Sequence, residues 1–380
     1  MDTTLCDISA FQYYRIPPCL LRRMVEEIDL STKGGRKKLA DANSFLGYIE
    51  TPLHVLETDR ARRFTARGMV KHLWSGELPL GAKREIDVYH YVTSPAMTLL
   101  MLARHLDKTC LTMAIYEMVG TFSVIRMLPG DRAYVQQCID AGQVAFEGGW
   151  EPARDENGRL AGDLWERPAL LTLDELWAFI HEMKGVRGCK ALASAAREVV
   201  GSAASPFEAR AAMRICGSRS SGGEGIGRAE LNTVIRFTSA AASIAGHDYA
   251  IADMLLCAHD GAAELVIECQ GRSSHGAGGV SIADADRQLA LQRMGYEVIL
   301  LTHEQIEDEW RFRQLARYLA ERLNGCYTEK NSWEMERQRE MMRVLFSNWA
   351  DLLCGGTRPV IWCKRHPGRR PEGRGRSLES

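Results

Sequence analysis

The sequence predicts an α/β protein in which a mixed α+β N-terminal half precedes a compact α-β-β-β-α-β unit over residues 205–302. Three observations predict it. Residues 249–257 and 264–270 alternate their side chains with period two around Asp260-Gly261, a dipeptide that signals a hairpin turn. Ser205-Pro206-Phe207-Glu208 reads as a helix start, with an N-cap serine and proline at the first helical position. A helical stretch from Ser281 to Met294 then passes through Gly295 into an apolar strand, Tyr296 to Thr302.

Taken in order, Pro52 to Glu57, Met69 to Trp74 and Glu85 to Thr93 read as strands. Ser94-Pro95 opens a helix carried by Met97, Leu100, Met101 and Ala103. Residues 151–163 are polar and contain Gly158 and Gly162, so a loop or lid is expected there. Residues 173–200 read as two helices punctuated by Gly185 and Gly188. A helix from Ser205 to about Cys216 leads into a Gly/Ser-rich loop, Gly217 to Gly227. Strands follow at 231–238, 249–257 and 264–270, then a Gly-rich loop at 271–279. Helices are expected at 304–323 and 331–352, the latter with Trp333, Met341, Leu345 and Trp349 at near-helical spacing for packing on the domain. The stretch 357–377 holds seven arginines and lysines against Glu372 and reads as a basic, disordered tail. The expected divisions are an N-terminal domain at 1–187, a second domain at 188–325, a C-terminal helix at 326–356 and the tail at 357–380.

Composition excludes several classes. The 48 Lys+Arg nearly cancel the 49 Asp+Glu, so any nucleic-acid role needs a local basic patch, not global charge. A 46% hydrophobic content excludes disorder throughout. No apolar run reaches the roughly 18 residues of a membrane span, and Met1 to Asp7 lacks the basic, apolar pattern of a signal peptide. A cytoplasmic protein with no membrane partner is therefore expected. The 11 cysteines show no CxxC pair and no zinc-finger spacing, so they are expected as reduced thiols, several of them in the core.

The hairpin carries the chemistry. With Asp260 and Gly261 as the two loop residues of a type I′ turn, 259 pairs with 262, and counting back along the ladder sets Asp253 directly opposite Glu268. Their Cβ atoms would then lie about 4.5–5.5 Å apart. Facing carboxylates repel, more so when half-buried, and need a shared proton, an Arg or Lys, or a divalent cation to offset them. An oxygen-only donor set of this kind suits Mg²⁺ or Mn²⁺. The competing interpretation is a solvated polar face of an ordinary hairpin.

The ordered set Ser205-Pro206-Phe207-Glu208, Asp253, Glu268-Cys269-Gln270-Gly271, His275, Asp284-Ala285-Asp286-Arg287 and Gly295-Tyr296-Glu297-Val298-Ile299 resembles the PD-(D/E)xK nuclease superfamily. Within it, the chain resembles the domain of unknown function related to very-short-patch-repair endonucleases, over about residues 188–310. Upstream, Val92-Thr93-Ser94-Pro95, Leu99 to Ala103 and Tyr116 to Gly120 resemble an AbiEi-like antitoxin region. The resemblance implies a restriction-endonuclease-like αβββαβ core and a metal-dependent phosphodiester hydrolase, endonuclease-like, in phage defence or a toxin–antitoxin system. It implies nucleic acid, DNA before RNA, as the partner, and it leaves room for a protein partner or homo-oligomer. It assigns Asp253 and Glu268, with the Cys269 carbonyl, to the metal, and Glu208 and Gln270 to the catalytic set. Arg287 and His275 are assigned to phosphate. The third motif position is usually Lys, and commonly Asp in this subgroup; here it is Gln270, which can orient water but can neither act as a base nor carry positive charge. That departure opens the alternative of a catalytically weak DNA-binding or regulatory module.

Several of these residues have a second interpretation. Glu208 also completes a capping box with Ser205. Asp284 and Arg287 share a helix face with Leu291 and could be a structural ion pair. His275 could be a solvated loop histidine, His259 belongs to the turn, and Gln305 starts a helix. Gly222 to Gly227 lacks the Lys-Ser/Thr of a phosphate-binding loop and does not follow a strand, so it is not taken as a nucleotide site.

Overall fold

The computed structural model describes residues 2–23, 27–38, 45–62, 68–142, 147–261, 263–270 and 282–354. The basic stretch 357–377 and His275 lie outside them. The chain is a mixed α/β protein with three sheets and, among the described residues, 14 α-helices.

The first sheet has five strands: β1 Thr3–Leu5, β2 Leu53–Glu57, β3 Met69–Leu73, β4 Lys83–Glu85 and β5 His90–Thr93, ordered β3-β2-β1-β5-β4. The strand expected over Glu85 to Thr93 is two strands, because Asp87 accepts from the Tyr89 and His90 amides and folds the chain back on itself. Ser94 caps the helix Pro95–Leu102 with Pro95 at its first position, as the sequence predicts.

The second sheet has three strands, β6 Phe122–Val124, β7 Glu151–Arg154 and β8 Leu160–Glu166, ordered β6-β8-β7. This corrects the loop or lid expected at 151–163. The Asp155 carboxylate accepts from the Asn157 and Arg159 amides and closes a β7–β8 hairpin. Most of its side chains are solvated on both faces, which removes the hydrophobic alternation that would have marked strands. Trp165, fully buried, anchors the hairpin to the core.

The third sheet comprises β9 Arg228–Arg236, β10 Tyr249–Cys257, β11 Glu264–Cys269 and β12 Glu297–Leu301, ordered β12-β11-β10-β9. β9, β10 and β11 are antiparallel neighbours, and β12 runs parallel to β11 after the crossover helix Ile282–Arg293. One helix absent from the expected string, Ser239–Ala245, joins β9 to β10. Its Ala-rich run favours helix, Thr238 caps its start and Gly246, with φ +74°, ends it. The unit at 206–301 is thus α-β-α-β-β-α-β.

The helix expected over 304–323 is interrupted at Asp308, which ends His303–Glu307 and caps Glu309–Asn324. The helix expected over 331–352 spans Ser332–Leu345, with a 3-10 turn at Trp349–Asp351. Met341, Leu345 and Trp349 are buried as the spacing implies, but Trp333 is exposed. The Gly-rich loop packs beneath this helix. A Cβ on Gly222, whose φ is +103°, would stand 2.7 Å from the Arg337 carbonyl oxygen. Those glycines therefore serve close backbone packing, not a nucleotide.

The main core runs continuously from Leu5 to Leu352. At its centre, on helix Lys108–Val119, the buried Glu117 carboxylate accepts from Nε and Nη2 of buried Arg15 at 2.7 and 2.6 Å. It also accepts from the Trp349 indole at 2.8 Å. Arg15 further donates to the Trp349, Ala350 and Leu352 carbonyls. This network ties the C-terminal segment to the N-terminal half, and its charges are paired as burial requires.

Candidate functional site

The hairpin register holds, but the loop that makes it differs from the expected one. The ladder pairs Met254 with Ile267, Leu255 with Val266, Leu256 with Leu265 and Cys257 with Glu264. The Ala258 amide then bonds the Ala263 carbonyl at 2.9 Å, so four residues, 259–262, form the loop instead of two. Of Asp260 and Gly261, only Gly261 has positive φ, so the type I′ turn is not formed. A four-residue loop preserves the same register; the ladder ends at Met254·Ile267, and Asp253 and Glu268 lie one step beyond it, near enough for the Asp253 charge to act on Glu268.

Three carboxylates gather around this end of the hairpin. Asp253 is half-buried and accepts from the Cys269 amide at 2.7 Å. Glu268 is 7% exposed, and one of its oxygens takes the Arg287 guanidinium at 2.9 Å while Oε1 has no hydrogen-bond partner. Glu208 is buried on helix Pro206–Ile215 and accepts from the Ala204 amide, the Ser205 hydroxyl and the Asn232 amide group at 2.7–2.8 Å. Its return bond goes to Ala204, not to the N-cap Ser205 amide, so the expected capping box is only half made: Ser205 accepts from the Glu208 amide at 3.2 Å.

The electrostatics follow from this crowding. Burial, then the neighbouring Asp253 charge, pushes the Glu268 carboxyl up to about 7, against the opposing pull of Arg287. Burial also raises Asp253, against the Cys269 amide and Arg287. Burial raises Glu208, where Asp253 adds to the rise. The Cys269 thiol is driven far up by burial and by all three carboxylates, so it stays protonated and is not an anionic ligand. Of the three ways to offset facing carboxylates, an arginine is present and the raised Glu268 favours a retained proton.

Gln270 follows β11, half-buried, its backbone N–H donating to the Leu301 carbonyl at 2.9 Å. Asp284 is exposed, and its charge contributes to the rise at Glu268. Gln305 caps its helix by accepting from the Thr302 amide. Sequence reasoning missed Asn232. It lies in β9 at the break of the ladder between Thr233·Ala252 and Leu231·Met254, which places it across from Asp253. Its φ of +52° is unusual inside a strand, and its side chain ties the Ser202 carbonyl to Glu208. A lone Asn in a strand was the available signal, since Asn is among the few residues that tolerate this region.

A second cluster lies on the first sheet and was also missed. Asp7, His54 and His72 each bring one metal-ligating atom within 4.8 Å of the other two. Among the described residues they are the group of three His, Cys, Asp or Glu side chains that could hold a metal ion. His105 bonds the Asp7 carboxylate at 2.8 and 3.0 Å. Burial pushes the Asp7 carboxyl up, but the His105 bond and the three imidazoles outweigh it and leave it below its ordinary value. Burial pushes His54 down to about 4 and also lowers His72.

No family model, curated protein or solved structure matches the chain. Among the described residues, no helix is long and apolar enough to cross a membrane.

Proposed function

We propose that the chain is a metal-dependent nucleic-acid phosphodiester hydrolase of the endonuclease type, with DNA as the expected substrate, built on a restriction-endonuclease-like core. The observation that carries this is the crowding of Asp253 and Glu268, where the Asp253 charge acts on Glu268 one step beyond the last ladder pair, Met254·Ile267, of a four-stranded sheet. The donor set fits Mg²⁺ or Mn²⁺: it offers oxygens, and buried Glu268 Oε1 lacks a partner. Asp253 and Glu268 would hold the ion, with the Cys269 carbonyl. When bound, it supplies Lewis-acid stabilisation of phosphodiester charge and a more acidic water.

The chain's own residues do the rest. Gln270 orients the attacking water. Arg287 pairs with Glu268 in the resting site at 2.9 Å and would turn to the scissile phosphate, where His275 is its expected companion. Glu208, held through Asn232, keeps the helix Pro206–Ile215 docked beside Asp253. Toxin–antitoxin or phage-defence membership belongs to the same proposal.

The test is incubation of the full chain with mixed DNA and RNA and Mg²⁺ or Mn²⁺, beside Asp253→Ala and Glu268→Ala. Metal-dependent cleavage lost in both variants is expected; equal cleavage by all three proteins refutes the assignment. A second reading, a DNA-binding module with little catalysis, is favoured by two features: Gln270 stands where the superfamily has Lys, and Arg287 already neutralises Glu268. It predicts DNA binding without calorimetric Mn²⁺ uptake.

A further inference from the structure

We propose that Asp7, His54 and His72 bind one divalent transition-metal ion of the Zn²⁺ type, with His105 positioning the Asp7 carboxylate and a coordination position left open to solvent. The site is separate from the carboxylate hairpin and does not depend on the nuclease reading.

The fold builds it from three neighbouring elements. Asp7 follows β1 after Cys6 and opens the helix Asp7–Tyr13. β1 pairs with β2, which carries His54, and β2 pairs in parallel with β3, which carries His72. The β2–β3 register sets Val70 beside His54 and His72 beside Leu56, so the two histidines share a face two residues apart along the strands. Their rings stack at 5.0 Å, with His72 Nε2 3.0 Å from His54 Nδ1. His54 Nδ1 is 3.9 Å from Asp7 Oδ1, and His72 Nδ1 is 4.0 Å from Asp7 Oδ2. Metal bonds of about 2.1 Å in a tetrahedral set hold donor atoms roughly 3.4 Å apart. The 3.0 Å contact uses Nε2 of His72 and the 4.0 Å contact its Nδ1; with one donor atom taken from each residue the three lie within 4.8 Å of one another, so convergence on an ion asks for imidazole rotation that draws them together.

Four further features favour a ligand over a structural polar cluster. The Asp7 side chain is 1% exposed, and in the structure its carboxylate is met by imidazoles and by the Ile8 amide, with Arg104 near enough to feel its charge. Its φ is +53°, a left-handed conformation that a non-glycine residue holds at a cost. The His54, His72 and His105 side chains remain 17, 22 and 25% exposed, which leaves an entry path from solvent. The His105 bond to both Asp7 oxygens is the kind of outer-shell contact that fixes a ligating carboxylate. Two imidazoles and one carboxylate suit zinc and its transition-metal neighbours, whereas all-oxygen sets suit Mg²⁺.

The experiment uses the full chain, stripped with chelator and titrated with Zn²⁺, and with Co²⁺ as a spectroscopic probe. One equivalent of Zn²⁺ and visible Co²⁺ d–d bands are expected. His54→Ala and His72→Ala should each weaken Zn²⁺ binding by at least about 100-fold. His105→Ala should weaken it by about 10–100-fold, the usual effect of an outer-shell partner. Asp253→Asn should leave it unchanged, which separates this site from the hairpin. If the histidine variants fail to fold, imidazole ¹⁵N shifts of His54 and His72 on Zn²⁺ addition to the wild-type chain give the same answer. Absence of stoichiometric Zn²⁺, binding undiminished in folded variants, or unmoved ¹⁵N shifts would each overturn the proposal.

Discussion

Replacing Glu268 by Gln tests the electrostatic account of the hairpin most directly. Glu268 is 7% exposed and its carboxyl is raised from 4.5 to about 7, first by burial and then by Asp253. A raised folded value means the native state holds the proton more tightly than the unfolded chain does. The associated stability is fully present below about 4.5 and is lost as pH rises through about 7. A shift of about 2.5 units at 1.36 kcal/mol each is roughly 3 kcal/mol. Gln mimics the protonated acid and does not titrate, so the variant escapes the loss. In chelator, urea midpoints should be nearly equal at pH 4.5, and by pH 8 the variant should be the more stable protein by up to about 3 kcal/mol. Tryptophan fluorescence follows both transitions. A stability difference that is flat from pH 4.5 to 8.5, or one that favours the wild type more at pH 8 than at pH 5, would mean that the Arg287 contact outweighs burial and the Asp253 charge, so that the pair is not under strain.

Other predictions concern the framework. Glu117→Gln leaves buried Arg15 without its counter-ion and should cost about 3–5 kcal/mol, read as a lowered denaturation midpoint. An unchanged midpoint would refute the view that this pair clamps the C-terminal segment. Gly222→Ala places a Cβ 2.7 Å from the Arg337 carbonyl oxygen at φ +103° and should cost about 1–3 kcal/mol, whereas Gly246→Ala meets open space and should cost less. Asn232→Gly keeps the backbone conformation and should lose only the hydrogen bonds, about 1 kcal/mol each, while Asn232→Val should lose a further 1–2 kcal/mol from its positive φ. Equal effects would argue that the backbone at 232 is unstrained.

The parts of this protein that were legible in its sequence are those governed by short-range rules. The register expected to set Asp253 against Glu268 follows from centring the turn on Asp260-Gly261, and from Met254·Ile267 to Cys257·Glu264 it is the one observed. A slip by one residue would exchange Leu265 and Ile267 with Val266 and Glu268 across a strand buried on both faces. The register tolerates a wrong turn type, because a two-residue and a four-residue loop centred on the same point align the strands identically. The hairpin at 151–166 was hidden for the opposite reason: with few buried faces it has no hydrophobic alternation to display. The helix Ser239–Ala245 was overlooked although its Ala content favours it. Asn232 and the histidine cluster lay beyond local rules altogether. The Asn232 conformation is imposed by the break in a ladder, and Asp7, His54, His72 and His105 come from separate elements that only the strand order of the first sheet brings together.

Arg287 is the residue on which the two interpretations of the hairpin divide. Its guanidinium lies 2.9 Å from Glu268, the place where a divalent ion would also be drawn, and it lowers the proton affinity of the acid it neutralises. It therefore acts in two directions. By opposing protonation it favours the ionised Glu268 that an ion requires, and by its own charge it repels that ion. Below about pH 7 the first effect governs, since an uncharged acid is a poor ligand whatever surrounds it. Above that pH the acid is ionised regardless, and the repulsion is what remains. An ion could then be held only if Arg287 turned away, and an incoming phosphate is the group that would draw it, since bidentate guanidinium contact suits phosphate as well as carboxylate. On this argument ion and nucleic acid bind with positive coupling, because each relieves the obstacle to the other. Weak Mn²⁺ uptake by the protein alone then speaks against the hydrolytic reading only if it stays weak when DNA is present.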